Sequence, residues 1–343
     1  MEAADLHNFG QAVQKIGRGS EKVYQKPRPI YWEWLFFGQN SPLSLFFEQS
    51  RIGTFSPRQV IFNLSTEFHS NYSGVSSEII GLPGTKTLST HAYSLGVLLA
   101  YCYIFGIRDL HRHNLVKTKT HLQVVDVEVV FSKLILPHET LLLPFKEVGS
   151  DLCGASTILE PHNVPPEIME LILNGYMDVF DSVIGQLDRI NSILETRPEM
   201  MAIPVRHILR DTFQYRAWKK VVPAIPFFES ELLQLTRGDI PYFFKFLGQS
   251  DVFEYTDRSG EFSPVDLPVE FLKGALREAQ APSTLLSERR LREQLLGPGL
   301  LYLAKKLLSA TASSVKGEAY NISLNHQEIR VSTAFGDFAA SRS

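Results

Sequence analysis

Two acidic residues interrupt the apolar run VVDVEVVF, and they constrain the fold of this chain more than any other feature of its sequence. The run is rich in β-branched residues, which predicts a strand whose alternation places Val124, Asp126 and Glu128 on one face. Burying a carboxylate is costly unless a cation or several donors compensate. The pair therefore indicates either the solvated face of an amphipathic strand or a metal site that the Asp-x-His-x-x-Asn loop just upstream completes.

The composition of the chain bounds the functions that it supports. Its 343 residues include 44% hydrophobic and 21% charged residues, which is ordinary for a globular protein, and its net charge of −3 gives no general attraction to nucleic acid or anionic membranes. Cys102 and Cys153 supply neither a disulfide framework nor a zinc site, which favours a reducing compartment. The N-terminus lacks the apolar stretch of a signal peptide, and the most apolar window, residues 94–107, is too short to cross a bilayer. We therefore expect a cytoplasmic protein with no nucleic-acid or membrane partner.

Turn and periodicity signals predict a series of helices and hairpins. The residues flanking GRGS predict a β-hairpin over 13–26, whose second strand ends at Lys26 because Pro27 cannot continue it. The segment IYWEWLFF suits either a helix or a buried strand. Further elements are a buried helix over 93–105, a long helix from Pro165–Pro166, a helical region over 285–310 broken at Gly297-Pro298-Gly299, and a terminal hairpin in NISLNHQEIRVSTAF.

Four features occur in the order in which kinases carry their phosphoryl-transfer residues. Asp109 and Asn114 stand five residues apart in DLHRHN, as in a kinase catalytic loop, and Asp126 follows twelve residues later. Lys26, at the end of a strand, occupies the place of the lysine that reaches the phosphates. Asparagine and aspartate oxygens suit Mg²⁺. Each feature alone is weak, but their order indicates a kinase-like site.

A longer series of motifs resembles the dehydratase domain of class II lanthipeptide synthetases, whose core is similar to lipid kinases. Tyr24, Lys26, Pro27 and Arg28 match its Tyr-Lys-Pro-Arg motif with Gln25 inserted. The other matching segments are DLHNFGQAV, RDLHRHNLV, VVDVEVVF, VRHILRDTFQY and RGDIPYF, in the family's order. Together they extend from Asp5 to Phe243, which is most of the chain.

The resemblance implies an α+β protein with a bilobal, protein/lipid-kinase-like fold and an additional, mainly helical C-terminal portion. Residues 1–82 would form an N-lobe with the hairpin and the phosphate-binding Lys26, and residues 83–200 a C-lobe with the catalytic and metal loops. Residues 201–343 would form the helical portion, which carries the elimination-type motif and RGDIPYF.

The activity that the resemblance implies is dehydration of Ser and Thr in a ribosomal precursor peptide, with ATP and Mg²⁺ as cofactors. The side-chain hydroxyl would be phosphorylated, and phosphate would then be eliminated to give dehydroalanine or dehydrobutyrine. The implied roles are a phosphate contact for Lys26, a catalytic carboxylate for Asp109, support of the loop by His111, Mg²⁺ ligation by Asn114 and Asp126, and a further ligand in Glu128. For elimination, the matching residues are Asp5, His7, Arg206 and Thr212.

Departures from the family pattern leave other functions open. Ala4 and Gln11 replace a glycine and an arginine in the first motif, and no cyclase zinc ligands occur, which predicts a stand-alone dehydratase core. A separate cyclase or leader-binding protein is then an expected partner. One alternative is a kinase of a peptide, protein or small molecule that lacks the elimination step. Another is a non-catalytic binding module, although the complete set of Lys26, Asp109, Asn114 and Asp126 argues against it.

Overall fold

The first part of the chain forms a four-stranded antiparallel sheet. The computed structural model describes residues 6–18, 21–48, 60–70, 73–82, 89–143, 153–159, 165–220, 222–311, 321–324, 328–333 and 336–341. The strands are β1 (Gln14–Arg18), β2 (Glu21–Lys26), β3 (Thr66–Ser70) and β4 (Ser73–Ser77), in the order β1-β2-β4-β3. The predicted hairpin is confirmed, since β1 pairs with β2 and Ile16 lies opposite Val23. Its second strand ends at Lys26, as expected from the following proline.

Two short helices follow this hairpin, α1 (Tyr31–Phe37) and α2 (Pro42–Glu48). The ambiguous segment IYWEWLFF is therefore helical, and α1 buries every one of its residues except Trp34. Trp32 is 1% exposed, and its indole N–H donates to the carbonyl oxygen of Pro204 at 2.7 Å. This bond connects α1 to a part of the chain 172 residues away.

Two buried helices cross at very close range in the centre of the protein. They are α3 (Ser89–Ile104), which confirms the predicted buried helix, and α4 (Pro166–Gly185), which is followed by α5 (Leu187–Glu195) and confirms the predicted long helix with a break at Gln186. A Cβ atom at Gly96 would lie 1.9 Å from the carbonyl oxygen of Ile172. The helices approach this closely only because glycine has no side chain.

Replacing Gly96 with alanine is expected to destabilise the protein by about 1–3 kcal/mol, because the added methyl group meets backbone that must shift. Gly185→Ala is the matched control at the end of α4, where no atom lies within 4 Å of the added Cβ. Thermal and urea unfolding of the two variants measure the difference. A Gly96→Ala variant as stable as Gly185→Ala would contradict this helix crossing.

The segment that contains the two acidic residues departs from the predicted strand. The hairpin of β5 (Leu115–Lys117) and β6 (Leu122–Val124) ends at Val124, so the strand prediction for VVDVEVVF is wrong beyond that residue. Asp126 has a φ of 66°, a left-handed conformation that aspartate tolerates better than most residues and that ends the alternation. Two 3₁₀ turns follow, Pro137–Thr140 and Gly154–Thr157, and a third spans Pro198–Ala202.

The C-terminal portion, expected to be mainly helical, combines helices with two antiparallel sheets. Its elements are β7 (Val205–His207), α6 (Thr212–Arg216), α7 (Glu229–Arg237), β8 (Phe243–Lys245), β9 (Val252–Tyr255), β10 (Phe262–Val265), α8 (Val269–Ala275), α9 (Pro282–Leu285), a π-helix (Arg290–Leu296), α10 (Gly297–Thr311), β11 (Asn321–Leu324), β12 (Glu328–Thr333) and β13 (Gly336–Ser341). The sheets have the orders β10-β9-β8-β7 and β11-β12-β13. Strands of three or four residues are too short for periodicity to reveal them.

Two further expectations concern the end of the chain. The predicted terminal hairpin is confirmed by the pairing of β11 with β12. The expected break at Gly297-Pro298-Gly299 takes the form of a change from π-helix to α-helix at Gly297. Proline lacks a backbone N–H, so the regular hydrogen-bond ladder cannot run through this point unchanged.

One large hydrophobic core connects α1 to α5, α9 and α10, and small aromatic clusters cover the sheet formed by β7 to β10. The described residues thus combine helices with antiparallel sheets, which is consistent with an α+β architecture. Within the part of the chain that the structure describes, no helix is long and apolar enough to cross a membrane.

Candidate functional site

The end of β2 holds two cationic side chains against a buried acid. Glu33 in α1 is fully buried, and its Oε1 lies 2.6 Å from Nζ of Lys26 and 3.2 Å from Nη1 of Arg28. Burial lowers the pKa of Lys26 to about 8, although the charge of Glu33 opposes the shift. Sequence reasoning missed Glu33. The available signal was an acid inside the aromatic helix YWEWLFF, since such a charge needs a partner.

The two acids of VVDVEVVF meet the same guanidinium group. Arg28 forms an ion pair with Asp126 through Nη2, and its Nε lies 2.5 Å from Oε1 of Glu128. Nζ of Lys26 lies 3.9 Å from Oδ1 of Asp126. The carboxylates are therefore compensated by cations from the end of the hairpin. The Glu128 side chain is 7% exposed and that of Asp126 is 41% exposed, so the two acids do not share one solvated strand face, and the metal-site interpretation stays a prediction.

Glu128 also contacts Arg206 of β7. Arg206 thus joins the cluster formed by Lys26, Arg28, Glu33, Asp126 and Glu128. Nη1 of Arg206 donates to Oε2 of Glu128 at 2.6 Å, and the guanidinium lies 5.3 Å from the centre of the Tyr242 ring. Burial by itself would raise the pKa of Glu128, but Arg28 and Arg206 together lower it to about 2. Glu128 thus remains ionised and bridges two arginines that are 178 residues apart.

The low pKa of Glu128 predicts how stability changes in acid. The folded-state pKa lies below the ordinary value of 4.5, so the carboxylate stabilises the fold above pH 4.5 and this contribution is lost as the pH falls toward 2. Between pH 6 and pH 3.5, the wild-type protein should lose about 1 kcal/mol more stability than Glu128→Gln. Urea unfolding at both pH values measures this, with the exposed Glu270→Gln as control. Equal losses in wild type and Glu128→Gln would contradict the ion pairs.

The DLHRHN loop lies next to this cluster. Asp109 has a φ of 66°, and its carbonyl oxygen accepts a hydrogen bond from Nδ2 of Asn114 at 2.8 Å. Burial raises the pKa of Asp109, while the nearby charges of Arg206 and His111 lower it. His111 lies with Nε2 3.9 Å from Oδ1 of Asp109, and burial lowers the pKa of its imidazole. Asp109, the predicted catalytic carboxylate, is therefore close enough to Arg206 for the charge of the guanidinium to lower its pKa.

Asn114 and Asp126 are brought to the same edge of the site. The backbone N–H of Val125 donates to the carbonyl oxygen of Asn114 at 3.0 Å, so Asn114 lies opposite the residue that precedes Asp126. The carboxylate of Asp126 is 41% exposed, and carboxylate and amide oxygens are suitable ligands for Mg²⁺. Both oxygens of Glu128 are already paired with arginines. Asn114 and Asp126 therefore supply oxygen atoms of the type that Mg²⁺ prefers, and a Mg²⁺ held by both stays a prediction.

The described residues contain no group of three or more His, Cys, Asp or Glu side chains positioned to share a metal ion. A magnesium ion with only two protein ligands is still reasonable, since Mg²⁺ usually keeps several waters and is completed by substrate phosphates. The chemistry that such an ion supplies when bound is charge neutralisation on a phosphoryl group.

His7 reaches the cluster from the N-terminal turn. Its Nδ1 lies 2.9 Å from the carbonyl oxygen of Ile240, and its ring makes an edge contact with Tyr242, which also packs against Arg206. Asp239 fixes this turn, since its carboxylate accepts hydrogen bonds from the backbone N–H groups of residues 9 and 10, both at 2.8 Å. The RGDIPYF segment therefore holds the turn that carries His7 in place. Asp5 lies outside the described residues.

Thr212 is the first residue of α6, after the N-cap Asp211. The charge of Asp211 acts to raise the pKa of His111, so the start of α6 lies within electrostatic range of the DLHRHN loop. Among the hydrogen bonds of the described residues, none joins Thr212 to Arg206 or Glu128. The structure thus gathers the other described candidates around one cluster and leaves Thr212 at its border.

A comparison with protein families supports part of the resemblance. A family model described as a domain of unknown function (DUF4135) matches residues 1–152, and this domain is associated with lanthipeptide synthetases. The matched part contains Lys26, Asp109, Asn114 and Asp126 and ends before Arg206. No curated protein matches the chain. The chain is therefore similar to this family over slightly less than half of its length.

Proposed function

We propose that the protein dehydrates Ser and Thr residues of a ribosomal precursor peptide, by phosphorylating the hydroxyl with ATP and then eliminating phosphate. One observation carries the proposal: the carboxylate of Glu128 contacts Arg28 from the phosphate-binding side and Arg206 from the elimination side. In this proposal, residues for both steps surround one position. A peptide would not need to leave between the two reactions.

In the first step, the chain's residues orient a hydroxyl and neutralise phosphate charge. Lys26 and Arg28 supply buried cations next to Asp126, where the phosphates of ATP would lie. Lys26 is protonated at neutral pH because its pKa of about 8 is still above 7. Asp109 is the carboxylate that orients or deprotonates the attacking hydroxyl. Phosphoryl transfer depends mainly on such positioning and electrostatic stabilisation.

In the second step, a base removes the α-proton, the electron pair forms the Cα=Cβ double bond, and the Cβ–O bond breaks to release phosphate. Arg206 suits the leaving phosphate, since a guanidinium binds phosphate through two parallel hydrogen bonds. His7 is close to Arg206 through Tyr242 and is a candidate for proton transfer. A phosphorylated residue would have to displace Glu128 from Arg206. Arg206 would therefore be free to bind phosphate only when such a residue is present.

A kinase without the elimination step is the second candidate. The family match ends at residue 152 and does not include Arg206 or Thr212. Such an enzyme would use the same Lys26, Asp109 and Asp126, with Arg206 serving only as a structural partner of Glu128. A separate cyclase or leader-binding partner belongs to the dehydratase proposal.

Intact mass measurement distinguishes these functions. The full chain is incubated with ATP, Mg²⁺ and a Ser/Thr peptide. A parallel incubation contains a precursor peptide that includes its leader. Products lighter by one water for each modified residue support dehydration. Products that only gain a phosphate make the protein a kinase. Unchanged peptides together with the absence of magnesium-dependent ATP binding would contradict both enzymatic functions.

A further inference from the structure

We propose that Glu278 is a positioning residue, whose carboxylate holds together the two backbone segments that carry Asp109 and Arg206. Glu278 lies just after α8, and only 4% of its side chain is exposed. One carboxylate oxygen accepts a hydrogen bond from Arg108, and the other accepts one from Nδ1 of His207. The inference rests on the proposed function, in which Asp109 and Arg206 act on the same substrate.

Both partners of Glu278 are immediate neighbours of candidate catalytic residues. Arg108 precedes Asp109, and His207 follows Arg206 in β7. Successive side chains of a strand point to opposite faces, so Arg206 faces the site while His207 faces Glu278 on the other side. Asp109 has a left-handed φ of 66°, a conformation that persists only where the surrounding structure holds the backbone in place.

The same two segments are also connected through the chain between them. The backbone N–H of Arg108 donates to the carbonyl oxygen of Val129 at 3.0 Å, and the backbone N–H of Arg206 donates to that of Glu128 at 2.9 Å. Each segment is thus attached to residues 128–129 by a main-chain bond. Glu278 completes this arrangement on the other face of β7, because its carboxylate joins Arg108 to His207 directly.

Glu278 is itself fixed in place, which a positioning role requires. The backbone N–H of Lys133 donates to the carbonyl oxygen of Arg277 at 2.6 Å. The buried Lys245 donates from Nζ to the carbonyl oxygen of Glu278 at 3.3 Å. The carboxylate therefore projects from a backbone that is held on both sides. A movable acid could neutralise Arg108 but could not set the distance between the two segments.

Hydrogen–deuterium exchange tests the connection without relying on any activity. In Glu278→Gln, peptides covering residues 106–112 and 204–208 should both exchange faster than in the wild type, because the amide has one acceptor oxygen where the carboxylate has two and also loses the negative charge. Glu270→Gln is the matched control, since Glu270 is exposed and lines the same pocket, of about 220 Å³, as Glu278. His207→Gln removes only one partner and should loosen residues 204–208 alone.

Kinetics then test whether the connection serves catalysis. In Glu278→Gln, kcat for peptide phosphorylation should fall by about 10- to 100-fold with KM for ATP nearly unchanged, since small displacements of catalytic groups have effects of this size. Glu278→Asp keeps the charge and should recover part of the rate. Glu270→Gln should match the wild type.

The outcomes separate this inference from the proposed function. Faster exchange in both peptides with a lower kcat supports the positioning role. Unchanged exchange in Glu278→Gln, or faster exchange with a wild-type kcat, overturns it. A wild-type chain that modifies no peptide overturns the proposed function and the catalytic purpose of Glu278, while the exchange comparison still decides whether Glu278 connects the two segments.

Discussion

Asp109→Asn is expected to lower the rate of peptide phosphorylation by about 10²–10⁴-fold, the range attributed to a positioned acid–base group. Asparagine has nearly the same shape as aspartate and also tolerates the left-handed φ of 66° found at this position. The hydrogen bond from the side-chain Nδ2 of Asn114 to the carbonyl oxygen of residue 109 is kept, since it does not involve the carboxylate. The loss would therefore come from the missing negative charge near the substrate hydroxyl. Single-turnover formation of phosphopeptide measures it.

Two controls make the Asp109 result specific. Asp266→Asn makes the same chemical change at an exposed position and should leave the rate unchanged. ATP affinity, measured by calorimetry, should be similar in Asp109→Asn and the wild type, because Lys26 and Arg28 remain to hold the phosphates. An Asp109→Asn variant that phosphorylates peptide at the wild-type rate would exclude this carboxylate from catalysis, whatever the function of the rest of the site.

Local sequence signals predicted several parts of the site correctly. A turn, a strand and a proline placed Lys26 at the end of a hairpin, and apolar content placed α3 in the core, because both follow from neighbouring residues. The cost of burying a carboxylate predicts that Asp126 and Glu128 have compensating charges, and both contact Arg28, whereas the magnesium ion expected there stays a prediction. The sequence could not predict that the segment is irregular beyond Val124, because the left-handed φ at Asp126 occurs without the glycine that usually signals it.

The partners of these residues could not be predicted from the sequence. Glu128 and Arg206 are 78 residues apart, and Arg108 and Glu278 are 170 apart. Ion pairs of this kind depend on how whole elements are placed in three dimensions, and no spacing rule within one helix or strand connects such residues. The resemblance supplied Arg206 as a candidate, but neither pattern nor resemblance supplied Glu33 or Glu278.

Arg206→Ala is expected to separate the two proposed reactions. Elimination should slow by about 10²–10³-fold, the loss typical of removing one group that stabilises developing negative charge. Phosphorylation should be much less affected, since Arg28 still neutralises Glu128 and the loop of Asp109 is held by other bonds. The variant should therefore accumulate phosphopeptide that the wild type converts further. Intact mass over a time course shows the accumulation directly.

A synthetic phosphoserine peptide tests the elimination step alone, without ATP. Wild-type protein should release phosphate from it in the presence of Mg²⁺ and nucleoside diphosphate, and Arg206→Ala should not. Arg206→Lys keeps the positive charge but loses the planar pair of donors, so it should recover only part of the rate. Arg292→Ala, which removes an exposed arginine, should behave as the wild type. If wild type and Arg206→Ala release phosphate equally, Arg206 serves only to pair with Glu128, and elimination must depend on other residues. If neither releases phosphate while both phosphorylate peptide, the protein is a kinase, and the bridge through Glu128 is structural.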